Sequence, residues 1–110
     1  MVDATDDTFR STLDSKVPVL VDVWAPWCGP CRMVAPAVAD TAARLAGTLK
    51  VVKLNADDAP AASRSLGIQG IPTLVMFHDG QEVDRHVGAL PAAALTAWVD
   101  QVLARSGAVR

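Results

Sequence analysis

Tyrosine is absent, phenylalanine and histidine each occur twice, and three tryptophans therefore carry most of the aromatic bulk. Cysteine also occurs only twice, too few for the disulfide framework of a small secreted scaffold. There is no excess of positive charge. Ten Lys and Arg stand against twelve Asp and Glu, a net of −2, which excludes broad nucleic-acid binding through a basic face. No apolar run approaches the ~20 residues of a transmembrane helix, so no membrane partner is expected. The opening Met1-Val2-Asp3-Ala4-Thr5-Asp6-Asp7 has neither a basic stretch nor an apolar core and does not read as a signal peptide. The cytoplasm is the expected location, and there a cysteine pair is more often catalytic or metal-binding than structural. What is present fits one packed domain spanning 1–110: 51% of residues are hydrophobic and 20% charged. A chain of this size buries roughly two thirds of its unfolded surface and needs no metal or disulfide staple. No internal repeat or linker is visible.

Hydrophobic spacing predicts the element order helix, strand, helix, strand, helix, strand, strand, helix. Thr5 is placed as the N-cap of the first helix, with Asp6 and Asp7 suiting its positive end and Phe9 and Leu13 on its apolar stripe. Residues 17–25 (VPVLVDVWA) form a nearly continuous β-branched run, as in a central strand buried on both faces. Residues 29–46 are helical, with Met33, Val34, Ala37, Val38, Thr41, Ala42 and Leu45 at helical spacing and Pro36 as a kink. Residues 49–55 are a second strand. Asp58-Ala59-Pro60 opens a short helix with a cap and an early proline. Residues 73–77 and 81–87 are strands joined by Asp79-Gly80, a strong hairpin signal. Pro91 starts the last helix, with Leu95, Trp98, Val99, Val102 and Leu103 on its buried stripe, and 105–110 reads as a frayed tail. The expected class is α/β: a mixed central sheet, parallel in its β-α-β part and antiparallel in the final hairpin, flanked by helices on both faces.

Trp27-Cys28-Gly29-Pro30-Cys31 follows the buried strand and opens a helix. Residues three apart on a helix have Cβ atoms about 5–6 Å apart, and a disulfide needs roughly 3.5–4.5 Å. A slight tightening of the first turn closes the bond, so the pair can cycle with little backbone motion. Unpaired N–H groups at a helix start stabilise a thiolate and lower a cysteine pKa. Pro30 presets the helical φ there. Cys28, at the strand-to-helix turn, is assigned as the exposed attacking sulfur. Cys31, one turn deeper, is the resolving thiol. The plain alternatives are a structural disulfide and half of a zinc site. Structural zinc needs four ligands; only His78 and His86 remain besides carboxylates, and their hairpin spacing does not suit a joint site. No metal is expected.

A C-x-x-C pair beside a β-α-β pattern is the general signature of a thioredoxin-like redox motif, so this step rests on resemblance. The chain resembles the thioredoxin family over essentially its whole length. Four segments carry the likeness: Val21-Asp22-Val23-Trp24 through Cys31, Val52-Lys53-Leu54-Asn55, Gly70-Ile71-Pro72-Thr73 and Val87-Gly88-Ala89. Asp22 interrupts an apolar strand on the face shared with Leu20 and Trp24, and a buried carboxylate is costly unless paired or protonated. An Asp at a strand edge, facing water, is the alternative. The resemblance implies that Asp22 lies beneath the redox pair and moves protons to and from Cys31, that Lys53 accompanies it, and that the Ile71–Pro72 bond is cis and faces the cysteines. It also implies a flat apolar docking surface of Trp27, Gly29, Pro30, Gly70, Ile71, Val87, Gly88 and Ala89, with Pro72 beside it. Three features depart from the family pattern: the N-terminal segment is short, so a first edge strand is abbreviated or missing; Pro26 and Arg32 replace an acid and a lysine common in relatives; and Leu66 replaces an aromatic.

The resemblance implies a monomeric protein-disulfide reductase that binds no cofactor. Its redox group is the Cys28–Cys31 disulfide, regenerated by a flavin-containing thioredoxin reductase that uses NADPH. Implied clients are ribonucleotide reductase, thiol peroxidases and methionine sulfoxide reductases. Two other readings stay open: an isomerase or oxidant of the same fold, and a binding subunit whose thiols are dispensable. Gly-Pro between the cysteines favours the reductant, because oxidising relatives often carry His there.

Overall fold

Val19–Trp24 (β2) is central because both of its faces are apolar. Val19, Val21 and Val23 point to one side and Leu20 to the other, all essentially buried. The computed structural model describes residues 1–106. Its other elements are β1 (Val2–Ala4), α1 (Phe9–Thr12), α2 (Gly29–Arg44), β3 (Lys50–Asn55), α3 (Pro60–Ser65), β4 (Thr73–His78), β5 (Gln81–Val87) and α4 (Ala92–Arg105). The five strands form one sheet in the order β1-β3-β2-β4-β5. β1 and β2 pair with β3 in parallel, while β2–β4 and β4–β5 are antiparallel.

Alternation along the strands sorts side chains into two cores. Leu20, Val51, Leu74 and Met76 pack against Val34 and Val38 of α2 and Leu95 and Val99 of α4. Val21, Val23, Leu54 and Val75 pack on the opposite face with Phe9 of α1 and Ala62 of α3. Each fully buried Leu or Val contributes about 1.5–3 kcal/mol over leaving it in water, so helices cover both faces. The architecture is the expected mixed α/β sheet, covered by helices on both faces.

Several local expectations need correction. A first edge strand does form: Val2, Asp3 and Ala4 pair with Val52, Lys53 and Leu54. The N-cap position of α1 is Thr8 rather than Thr5, which closes the turn before the helix through a reciprocal pair. The Thr5 N–H donates to Thr8 Oγ1 at 2.9 Å and the Thr8 N–H donates back to Thr5 Oγ1 at 3.3 Å. Trp98 packs against the core as expected but stays half-buried, because its Nε1 reaches out to donate to Asp84 Oδ2 at 3.3 Å. Met33, placed by spacing on the buried stripe of α2, is 78% exposed. Arg105 is the last residue of α4 and pairs with Asp84 at 2.6 Å, so it is not part of a tail; residues 107–110 lie outside the described residues. The Asp79-Gly80 hairpin is as expected, with φ of 54° and 77°, the left-handed pair that a two-residue turn requires.

The cap of α3 is the instructive case. The sequence suggests Asp58, but the N-cap position is Ala59, which offers no side-chain acceptor. Asp6 supplies it from 55 to 56 residues earlier in the chain: Oδ1 accepts from the Ala62 N–H at 2.8 Å and Oδ2 from the Ala61 N–H at 3.3 Å. These are first-turn donors that the helix itself cannot satisfy. Asp6→Ala is expected to lower the unfolding free energy by about 1 kcal/mol, as for loss of an N-cap. Urea unfolding measures this, and an unchanged midpoint would show that the carboxylate contributes nothing.

Candidate active site

The site starts where β2 stops. Ala25 is buried, Pro26 and Trp27 turn, and Cys28 occupies the N-cap of α2 with extended backbone (φ −87°, ψ 110°). Its N–H donates to the Ala25 carbonyl at 3.1 Å, and Arg32 Nη1 donates to the Pro26 carbonyl at 2.9 Å. Cys28 and Cys31 form a disulfide with Cα atoms 5.2 Å apart. The Cys31 N–H donates to Cys28 Sγ at 3.2 Å. A free helix-start N–H aimed at sulfur favours the thiolate over the thiol, together with the positive end of the helix. The expectation of an exposed Cys28 is corrected: it is 5% exposed and Cys31 2%. The two sulfurs differ by position, one capping the helix and the other inside its first turn.

Trp27 is 67% exposed, and its Nε1 donates to Asp57 Oδ2 at 2.9 Å. Asp57 carries no motif signal in the sequence, since the two residues are 30 apart. On another side of the pair, the Ile71–Pro72 bond is cis, and the Ile71 carbonyl oxygen lies 3.9 Å from Cys28 Sγ. Ile71 also packs against the cluster of Ala25, Cys28 and Cys31, as does Trp24. The Gly88 N–H donates to the Pro72 carbonyl at 2.8 Å. Gly88 has φ +97°, a conformation that side-chain-bearing residues rarely adopt. Val87, 60% exposed, faces Thr73 across the β4–β5 pair and comes close to Gly70. Gly70, Ile71, Pro72, Val87 and Gly88 are thus brought together, with Ala89 exposed just beyond and Gly29 and Pro30 at the start of α2.

Asp22 is fully buried and points to the sheet face that carries α2, as alternation requires. Parallel register sets it beside Lys53 of β3. Lys53 Nζ is 3.7 Å from Asp22 Oδ2 and 4.5 Å from the centre of the Trp24 ring. That is an ion pair without a hydrogen bond, and neither Asp22 oxygen has a hydrogen-bond partner among the described residues. Burial therefore holds the Asp22 carboxyl above the ordinary carboxylate range, and Lys53 offsets this only in part. The water-facing alternative for Asp22 does not describe this geometry. Among the described residues, no group of three or more His, Cys, Asp or Glu could hold a metal ion, and no helix is long and apolar enough to cross a membrane.

A family model described as Thioredoxin matches residues 1–101. Over 100 residues the chain is 53% identical to "Thioredoxin 1" of Nostoc sp. and 52% identical to "Thioredoxin 1" of Synechococcus elongatus. Each alignment covers 90% of this chain and 94% of the relative. It is 46% identical over 99 residues to "Thioredoxin M-type, chloroplastic" of Chlamydomonas reinhardtii, covering 89% of this chain and 71% of that one.

The raised Asp22 value fixes a sign. The native carboxyl holds its proton more tightly than the unfolded one, so its contribution to stability is fully present below the unfolded value of 3.8 and is lost as pH rises through the native value. Asp22→Asn removes that loss. The variant is expected to be more stable than the parent at neutral pH, with a gain that shrinks on acidification and vanishes below about pH 4. Urea unfolding across pH checks this; a variant less stable at neutral pH would mean that the Lys53 pair outweighs burial.

Proposed function

The chain belongs to the thioredoxin family of dithiol–disulfide oxidoreductases, and from that premise we propose that it is a general reductant of protein disulfides. The observation that carries this reading is the Cys28–Cys31 pair at the start of α2, with the Cys31 N–H on one side of the Cys28 sulfur and the Ile71 carbonyl on another. In the reduced protein the Cys28 thiolate attacks one sulfur of a client disulfide. A Cys28–client bond forms, the client S–S bond breaks, and the departing client thiolate takes a proton. Cys31, as thiolate, then attacks Cys28 Sγ, re-forming the Cys28–Cys31 bond and expelling the second client thiolate. Two electrons pass from the pair to the client.

Asp22 accepts the Cys31 proton by way of water. A carboxyl held above its ordinary range is better matched to a thiol than an exposed one, and Lys53 steadies its charged form. Trp27, Gly70, Ile71, Val87, Gly88 and Ala89 receive an extended client segment beside the sulfur, with Gly29 and Pro30 shaping the helix start and Pro72 the facing loop. A flavin-containing thioredoxin reductase using NADPH restores the dithiol, and the protein carries no cofactor of its own. The proposed clients are ribonucleotide reductase, thiol peroxidases and methionine sulfoxide reductases, met by a monomeric single domain in the cytoplasm.

Cys31→Ser is expected to trap a Cys28–client mixed disulfide, visible on non-reducing gels, while Cys28→Ser traps none. Replacing both cysteines should bring protein-disulfide reduction down to the uncatalysed background; a double variant that retains its function would favour the binding-subunit reading. Asp22→Asn is expected to leave the first attack intact and slow release of the second client thiol about 10²-fold. Stopped-flow Trp fluorescence separates the two steps, and an unaltered second step would remove Asp22 from the mechanism.

A further inference from the structure

Resting on the reading of residues 87–89 as docking surface, the geometry points to a second client-binding element: we propose that the groove between α2 and the β5–α4 connection takes a bulky apolar side chain of the client followed by a Lys or Arg. The groove has a volume of about 440 Å³ and is lined by Met33, Pro36 and Asp40 of α2 and by Ala89, Leu90 and Pro91. Ala89 belongs to both surfaces, so the groove continues the face that a client must already touch to reach Cys28.

The wall is built for a changeable apolar occupant. Met33 has the largest exposed fraction among the large apolar side chains of the described residues, and an unbranched thioether adapts to partners of different shape. Pro36, Ala89, Leu90 and Pro91 continue its apolar surface, and a contiguous apolar patch, unlike a lone side chain, marks a contact surface. The far end of the groove carries a negative charge. One helical turn beyond Asp40 stands Arg44, spaced to pair with it, but Arg44 pairs instead with Asp100 of α4 at 3.1 Å. Among the described residues Asp40 has no ion-pair partner, so a cation on the client complements it.

Spacing sets the register. Met33 is five residues from Cys28 and Asp40 twelve, roughly 7.5 and 18 Å along a helix axis. An extended client chain advances about 3.3 Å per residue. The apolar residue therefore belongs about two to three positions from the attacked cysteine and the basic one about five to six.

Two synthetic disulfide-linked peptide dimers test this, one with Leu two positions and Arg five positions from the cysteine, the other with Ser and Glu there. The readout is the ratio of their kcat/KM values. The parent is expected to favour the Leu/Arg peptide about tenfold, well within what burial of one such side chain can supply. Met33→Glu should abolish most of that ratio, and Asp40→Lys should shift it toward the Glu-bearing peptide. Both positions are exposed, so thermal unfolding is expected to match the parent. Equal rates for the two peptides, or a ratio unmoved by both variants, would overturn the groove while leaving the reductase reading intact. Failure of the parent to reduce either peptide would overturn the reductase reading, and the groove with it.

Discussion

The Cys31 N–H reaches the Cys28 sulfur because α2 begins at Gly29, and α2 begins there because β2 has run out of buried strand at Trp24 and Ala25. That one hydrogen bond depends on most of the molecule. Val34 and Val38 hold α2 against Leu20, Leu74 and Met76, which fixes where the first turn points. Val21 and Val23 press the opposite face of the same strand against Phe9 and Ala62. A strand clamped on both faces cannot shift its end without disturbing both cores, so the sulfur is presented at a fixed place and angle. The loop that meets it is fixed in turn by β4, whose first residue Thr73 pairs with both Val23 and Val87.

The same sheet carries a cost. Asp22 sits in the middle of the central strand, with Lys53 close enough to pair and too far to hydrogen-bond. A fold selected for stability alone would put an apolar residue there, because a buried carboxylate held at ion-pair distance does not recover its hydration. In the mechanism proposed above, this carboxyl, kept above its ordinary range on the face that holds the cysteine-bearing helix, is the group that takes the Cys31 proton. Trp24 joins the two regions, lying under the Lys53 ammonium and against the cysteine cluster.

Sequence legibility follows the range of each interaction. The four longer strands, the hairpin at Asp79-Gly80 and the Cys-x-x-Cys pair are written in local pattern and read correctly, whereas the three-residue β1 is too short to show one. So is the burial of Asp22, because a charge inside an apolar run is conspicuous. Partners far apart in the chain are not legible from local rules. Asp6 capping α3, Asp57 holding Trp27 and Asp84 joining Trp98 to Arg105 have no local signal. Met33 shows the limit of periodicity: it falls at the edge of the stripe formed by Cys31, Val34, Ala37, Val38 and Thr41 and is left in solvent. Cys28 errs the other way, since the turn that presents its sulfur also packs Ala25 and Ile71 around it. The cis Ile71–Pro72 bond was implied by resemblance, as an X-Pro bond admits either isomer.

The central claim is that this pair is poised as a reductant, and its reduction potential tests that most directly. Trp24 and Trp27 flank the cysteines, so their fluorescence in a series of thiol–disulfide buffers reports the fraction oxidised. The account predicts a value near about −270 mV, the figure general to thioredoxins rather than one obtained from this geometry. A value between about −180 and −120 mV, the range of isomerases and oxidants, would contradict it.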